Sequence, residues 1–190
     1  MARWEPNTRE RLVRAAIDLF AEQGYDSTAV AQIAERAGLT KTTFFRQFRD
    51  KREVLFAGQE VHGRLLAEGI AEAAEGATPL RAVAAGLDAL TASFTPEQRE
   101  FGPRLQRVIA DNAELRERSV FKQASLAEAM SEALRQREVP EPVAGVAAEL
   151  GVRAFHSAYA RWCEPAEERT LPDLAREELD GLRAAIATLD

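Results

Sequence analysis

Between Asn7 and Asp50 the apolar residues fall three and four apart, and glycine interrupts the pattern twice. Asn7 with Glu10 three residues on, directly after Pro6, is a helix-start signal. Leu12, Val13, Ala16, Ile17 and Phe20 then share one helical face until Gly24 ends the run. A second, short helix follows Thr28, turns Val30, Ile33, Ala34 and Ala37 inward, and stops at Gly38. Thr40 caps a third, with Leu39 and Phe44 at hydrophobic-staple spacing. Phe44 and Phe48, one turn apart, share its buried face. Three helices in about 45 residues, the last two joined by a Gly-containing turn, predict a helix-turn-helix unit.

The helical period continues to the C-terminus. Asp50 with Glu53 starts a fourth helix, expected from about Lys51 to Glu75, in which Gly58, Gly63 and Gly69 allow bending or close packing. Thr78-Pro79 opens a fifth, with a stripe of Leu80, Val83, Leu87, Leu90 and Phe94. Thr95-Pro96-Glu97-Gln98 is a capping box with proline at the first helical position, and Gly102-Pro103 marks an irregular point in the sixth helix. A long seventh begins near Asp111 and runs to about Arg137. Val139-Pro140-Glu141-Pro142 breaks the chain before an eighth helix over about Val143–Cys163. A ninth, over about Pro172–Leu189, carries Ala175, Leu179, Leu182, Ile186 and Leu189 at heptad-like spacing. No strand alternation and no repeat is present, so the fold class is all-α with about nine helices.

Composition excludes several functions. With Cys163 alone and only His62 and His156, a Cys-rich zinc site cannot form and a His-based metal site is hard to assemble. His156 and Cys163 share a face of the eighth helix, yet two turns separate them, too far for a nucleophile–base pair. No phosphate loop or paired-carboxylate motif occurs, so no catalytic residue, metal or cofactor is expected. No apolar run approaches the ~20 residues of a membrane helix, and no hydrophobic signal core follows Met1, which points to a cytoplasmic chain that uses no membrane. The net charge of −6 is uneven. Residues 1–52 hold 10 Lys/Arg and 7 Asp/Glu, and the remainder carries the acidic excess. A basic head on an acidic body suits a polyanionic partner for the head.

The stretch from Thr8 to Phe56 resembles the N-terminal domain of TetR-family transcriptional regulators. The residues that carry the likeness are Ala16-Ile17-Asp18-Leu19-Phe20-Ala21-Glu22-Gln23-Gly24-Tyr25, Thr28, Val30, Ile33 through Thr40, Thr43-Phe44-Phe45, Phe48, Lys51 and Leu55, in order and without gaps. The remaining helices match the family's six-helix ligand-binding and dimerisation body in layout only. The resemblance therefore implies a DNA-binding domain over 1–50 and a ligand-binding and dimerisation domain over 51–190. Two positions depart from the family pattern: Phe45 stands where tyrosine is usual, and Gln47 where histidine or tyrosine is common. The family's tyrosine donates to a DNA phosphate, and Phe45 cannot.

Independently of that likeness, a recognition helix sets its N-terminal residues against base edges in the major groove. Here that end offers Lys41 and Thr42, with Arg46 one turn on; Lys and Arg read guanine, and Thr bonds bases or touches a thymine methyl. Thr43, Gln47, Lys51 and Arg52 are expected nearer the phosphates, the amides of the helix starts after Thr28 and Asp50 add anion-binding capacity, and Thr40 and Phe45 complete the expected DNA-binding set. Arg3 and Trp4 are either a minor-groove arm or a frayed end.

In the body, Phe94, Phe101, Phe121, Phe155 and Tyr159, with Arg107 beside them, are either the lining of an effector pocket or ordinary core and surface. Val146, Leu150, Leu179, Leu182 and Ile186 are expected at a two-fold seam of the eighth and ninth helices, with Ala144, Ala147, Ala148 and Gly151 permitting close approach. The expected function is a homodimeric repressor that binds an inverted-repeat operator and leaves it when a small apolar or amphipathic effector binds. A regulator that only dimerises, or an all-α enzyme or cofactor carrier, are the alternatives.

Overall fold

The structure, a computed structural model, describes residues 7–189, so the expected arm at Arg3 and Trp4 lies outside the described residues. It is all-α: α1 (Thr8–Gln23), α2 (Val30–Arg36), α3 (Lys41–Gln47), a 3-10 turn (Arg52–Phe56), α4 (Gln59–Ala71), α5 (Pro79–Thr91), α6 (Pro96–Asp111), α7 (Ala113–Gln136), α8 (Glu141–Trp162) and α9 (Leu171–Ile186). Two compact units form, one of Met1–Gly58 with Phe101–Ser119, the other of Gln59–Glu100 with Val120–Asp190.

In the first unit Leu12, Ile17, Ile33 and Phe44 are fully buried together with Val54 and Leu115. Phe101, Leu105 and Ile109 pack on the same core. The helix-turn-helix thus shares its compact unit with the 3-10 turn and with Phe101–Ser119, stretches that a division at residue 50 assigns to the body. Ion pairs fasten these pieces: Arg104 to Asp18 at 2.8 Å, Arg118 to Glu53 at 2.5 Å and Arg52 to Glu114 at 3.1 Å.

Local chemistry corrects two expectations here. Asn7 adopts a left-handed backbone (φ 87°) and makes no side-chain cap, so α1 starts without the predicted device. The fourth helix does not run on from Lys51. Asp50 Oδ1 accepts the Glu53 amide and caps a 3-10 turn, and the chain breaks at Ala57-Gly58 before α4 begins. Arg9 donates to the Ala57 carbonyl freed by that break. Sequence period cannot separate one long helix from two successive pieces.

The second unit is built on α4, α5, α8 and α9 with the later turns of α7; Leu66, Val83, Leu90, Met130 and Leu134 are fully buried in its core. α4 and α5 touch through their backbones. A Cβ on Gly69 would sit 2.7 Å from the Ala85 carbonyl oxygen, and one on Gly86 would sit 2.7 Å from that of Leu66. α4 ends where Arg137 donates to the carbonyls of Ala71, Ala73 and Ala74. The capping box at Thr95 forms as expected, Thr95 N–H to Gln98 Oε1 at 2.8 Å and Gln98 N–H to Thr95 Oγ1 at 3.4 Å. α6 continues through Pro103 as helix, so the irregularity expected there does not interrupt it.

Candidate nucleic-acid interface

The geometry of α3 follows from its two ends. Thr40 Oγ1 accepts the Thr43 amide at 3.1 Å and starts the helix; Phe44 and Phe48, rings 5.4 Å apart, anchor its inner face. With those positions inward, Lys41, Thr42, Phe45 and Arg46 are exposed, and Thr43 and Gln47 are half-buried. Thr43 Oγ1 is itself bonded to Thr40 Oγ1 at 2.9 Å. The helix carries no acidic residue, while Asp18, Glu22, Glu53 and Glu114 of the same unit are each paired with an arginine. Arg46 and Arg49 have no ion-pair partner among the described residues. The outer face of α3 is therefore cationic and rich in donors.

Three residues expected at the DNA are placed otherwise. Thr28 is buried, and its hydroxyl donates to the Gly24 carbonyl at 2.8 Å and accepts from Gln23. The cap of α2 falls one residue later, at Ala29, whose amide is taken by Gln32 Oε1 at 2.7 Å. Lys51 turns its ammonium inward, donating to the carbonyls of Tyr25 (2.6 Å) and Thr28 (3.0 Å) while lying 4.0 Å above the Tyr25 ring. Arg52 bonds Asp50 and Glu114. These side chains hold the α1–α2 turn and the start of the 3-10 turn in place, so they fix the position of α2 and α3. Burial moves the Tyr25 hydroxyl up to about 12, with the nearby carboxylates adding to it, so that it stays protonated under the lysine.

The aromatic residues expected to share a pocket do not all meet. Phe94, Phe155 and Tyr159 come together, with centroids 5.7 to 6.1 Å apart, and Trp162 joins them. Phe101 packs in the other unit's core, Arg107 is exposed and Phe121 is 59% exposed, because their positions on α6 and α7 turn them elsewhere. His62 of α4, considered from sequence only as a metal ligand, lies 5.3 Å from the Phe94 ring. One turn before it, the buried Oε1 of Gln59 has no hydrogen-bond partner. Burial lowers the His62 pKa to about 4. His156 is lowered for the same reason, while its Nδ1 is 2.8 Å from the Val152 carbonyl oxygen.

This burial has a pH signature. An unfolded histidine titrates near 6.5, so between that pH and about 4 only the unfolded chain binds the His62 proton. The stabilisation is whole above pH ~6.5 and is lost as pH falls through about 4, costing up to about 3 kcal/mol. Urea unfolding at about pH 7 and pH 4.5 should show the drop, and His62→Leu should lessen it, the remainder coming in part from His156. Equal pH dependence in the variant and the parent would contradict the assignment.

On the outside of the same unit, α5, α8 and α9 form a groove of about 870 Å³ lined by Leu80, Ala84, Val143, Val146, Leu150, Leu179 and Ile186. Val146 and Ile186 are exposed, Leu150 and Leu182 half-buried. Leu179 is buried in the protomer's own core. Ala144, Ala147 and Ala148 are buried likewise, and a Cβ on Gly151 would meet Val83 at 2.7 Å; this small-residue stripe serves packing inside the chain rather than a seam between chains. Val143 and Leu80, absent from the sequence expectation, complete the groove. Among the described residues no helix is long and apolar enough to cross a membrane.

A short capped helix that exposes a cationic face above an aromatic anchor, packed after a second short helix, is the arrangement of a helix-turn-helix unit. Residues 12–57 match the family of bacterial regulatory proteins, tetR family. The HTH-type transcriptional regulator TcmR of Streptomyces glaucescens is 51% identical over 47 residues, 25% of this chain and 21% of that protein, so the likeness spans about a fifth of the relative's length. Two solved structures share the fold along most of the chain. A TetR-family regulator from Streptomyces coelicolor (21% identity) covers 97% of this chain and 98% of its own, with a TM-score of 0.53. The regulator FadR from Bacillus subtilis, solved with stearoyl-CoA, is 18% identical, covers 91% and 96%, and has a TM-score of 0.58. The likeness to the tetR family thus lies in residues 12–57, and the solved structures show that the fold is shared along the rest of the chain.

Proposed function

We propose that the protein is a homodimeric repressor that binds an inverted-repeat operator and is released by a small apolar or amphipathic effector. The observation that carries the DNA reading is the outer face of α3, where Lys41, Thr42 and Arg46 stand exposed over buried Phe44 and Phe48. Thr43 and Gln47 border that face, and Thr40 sets the start of the helix. Lys51, Arg52 and Thr28 act through position. The groove with exposed Val146 and Ile186 supports a second copy of the chain as its partner, which would set two α3 helices against two half-sites. The protein is proposed to act in the cytoplasm, where its operator is.

The effector reading rests on the cluster of Phe94, Phe155, Tyr159 and Trp162 with uncharged His62 and the unpartnered Gln59 Oε1 nearby in α4. Such a lining favours a flat or acyl-bearing molecule with a hydrogen-bond donor over a sugar or nucleotide. Effectors couple to a second site by typically ~1–3 kcal/mol, so operator affinity should fall roughly five- to 150-fold with one member of a panel of hydrophobic metabolites. No response to the whole panel would leave a regulator that only dimerises.

Selection from random genomic fragments tests the DNA reading: the protein should enrich one inverted repeat. On that operator Lys41→Ala and Arg46→Ala should each relax base preference at one position per half-site, by ~1–3 kcal/mol. If Arg46→Ala left affinity and discrimination unchanged, this face of α3 would not be the reading face.

A further inference from the structure

We propose that Phe45 reads thymine through its 5-methyl group, making it a specificity-determining residue of the operator contact; this rests on the DNA reading above. Phe45 is 49% exposed and, among the described residues, is the only exposed large hydrophobic residue of its unit. The inward position beside it is taken by Phe44, which is fully buried and meets the Phe45 ring edge-on at 5.5 Å. Its ring is held outward on a cationic face, with the Lys41 ammonium 5.9 Å from its centroid and exposed Arg46 and Arg49 following it.

An apolar ring surrounded by cations fits a surface that is anionic overall and offers apolar points. The major groove has one such point among its base edges, the thymine 5-methyl group. Phenylalanine has no hydroxyl to give a phosphate, so its contribution comes from covering that methyl group and excluding water from it. Lys41, one turn before it on the same face, would then reach a neighbouring base edge or phosphate, and the two side chains together would favour a thymine beside a guanine.

The test uses the full-length protein and the selected inverted repeat, with each thymine replaced in turn by deoxyuridine, which removes only the methyl group. At one thymine per half-site the wild type should lose roughly fourfold in affinity, the worth of burying one methyl-sized group, and about fifteenfold when both half-sites are changed. Phe45→Ala should bind the thymine and deoxyuridine operators equally, and Phe45→Leu should keep a smaller difference. Circular dichroism of both variants checks that they are folded. If no deoxyuridine position affects the wild type more than Phe45→Ala, the inference is overturned and the ring packs on sugar or backbone. A wild type that selects no repeat at all overturns the operator reading itself, before any deoxyuridine is tried.

Discussion

Phe44→Ala should cost about 3–5 kcal/mol of stability, the range for removing a large ring from a close-packed core. Phe44 is completely buried and touches Phe48 and Phe45 at ring distances of 5.4 and 5.5 Å. It is also the residue by which α3, only seven residues long, holds to the rest of its unit. Isolated helices of that length do not persist in water, so α3 exists because of this packing. Small domains have ~5–15 kcal/mol in total, and the substitution should remove a large part of it. Urea unfolding, with helicity as the signal, measures the loss. Phe45→Ala, one residue later and half-exposed, should cost less than about 1 kcal/mol. Similar losses for the two variants would mean that the inward and outward faces of α3 are misassigned.

The largest effect on DNA affinity should come from the pair Val146→Glu and Ile186→Glu. Both side chains are exposed in the protomer, so the fold should tolerate them, whereas Leu179 and half-buried Leu182 also serve the chain's own core. Placed at a two-fold seam, four glutamates would face one another in a groove whose bordering Arg176 and Arg183 already pair with Asp88, Asp173 and Asp180, leaving Arg81 of each chain to offset them. Four carboxylates outnumber the two Arg81 side chains of a dimer; excess buried charge is strongly unfavourable, and the dimer should dissociate. A dimer holds its second reading head near the second half-site at an effective concentration worth 10²–10⁴ in affinity, and monomers lose about that factor. Binding to an isolated half-site should be unchanged. Sedimentation alongside operator titration decides it: a variant that remains dimeric, or a wild type that is monomeric at micromolar concentration, rules out the seam.

The helices of the helix-turn-helix were legible because their signals are local. Thr40, Leu39 and Phe44 act over four residues, and the cap and the inward ring both form. The break at Ala57-Gly58 was not legible, since Val54, Leu55, Leu66 and Ile70 keep inward positions on either side of it. What failed in the site was long-range. Lys51 reads as a free cation until the fold brings the carbonyls of Tyr25 and Thr28, more than twenty residues earlier, within 3.0 Å. Phe101 and Phe121 have the same composition as pocket residues, and only the turn of α6 and α7 sends one into the core of the DNA-binding unit and the other to solvent. The alanines of α8 looked suited to a seam because small residues permit any close helix contact, whether inside one chain or between two.

At Gly69 and Gly86 the contact of α4 with α5 leaves no room for a side chain at either glycine, and only Ala89 and Ile70 contribute side-chain atoms there. Ordinary helix pairs absorb small displacements by letting intervening side chains change rotamer. Here that cushion is reduced to Ala89 and Ile70, with carbonyl oxygens standing where a Cβ would go. A displacement of α4 toward α5 therefore has few side chains to absorb it. The two helices act as a single strut, with two unsubstituted α-carbons serving as its weld.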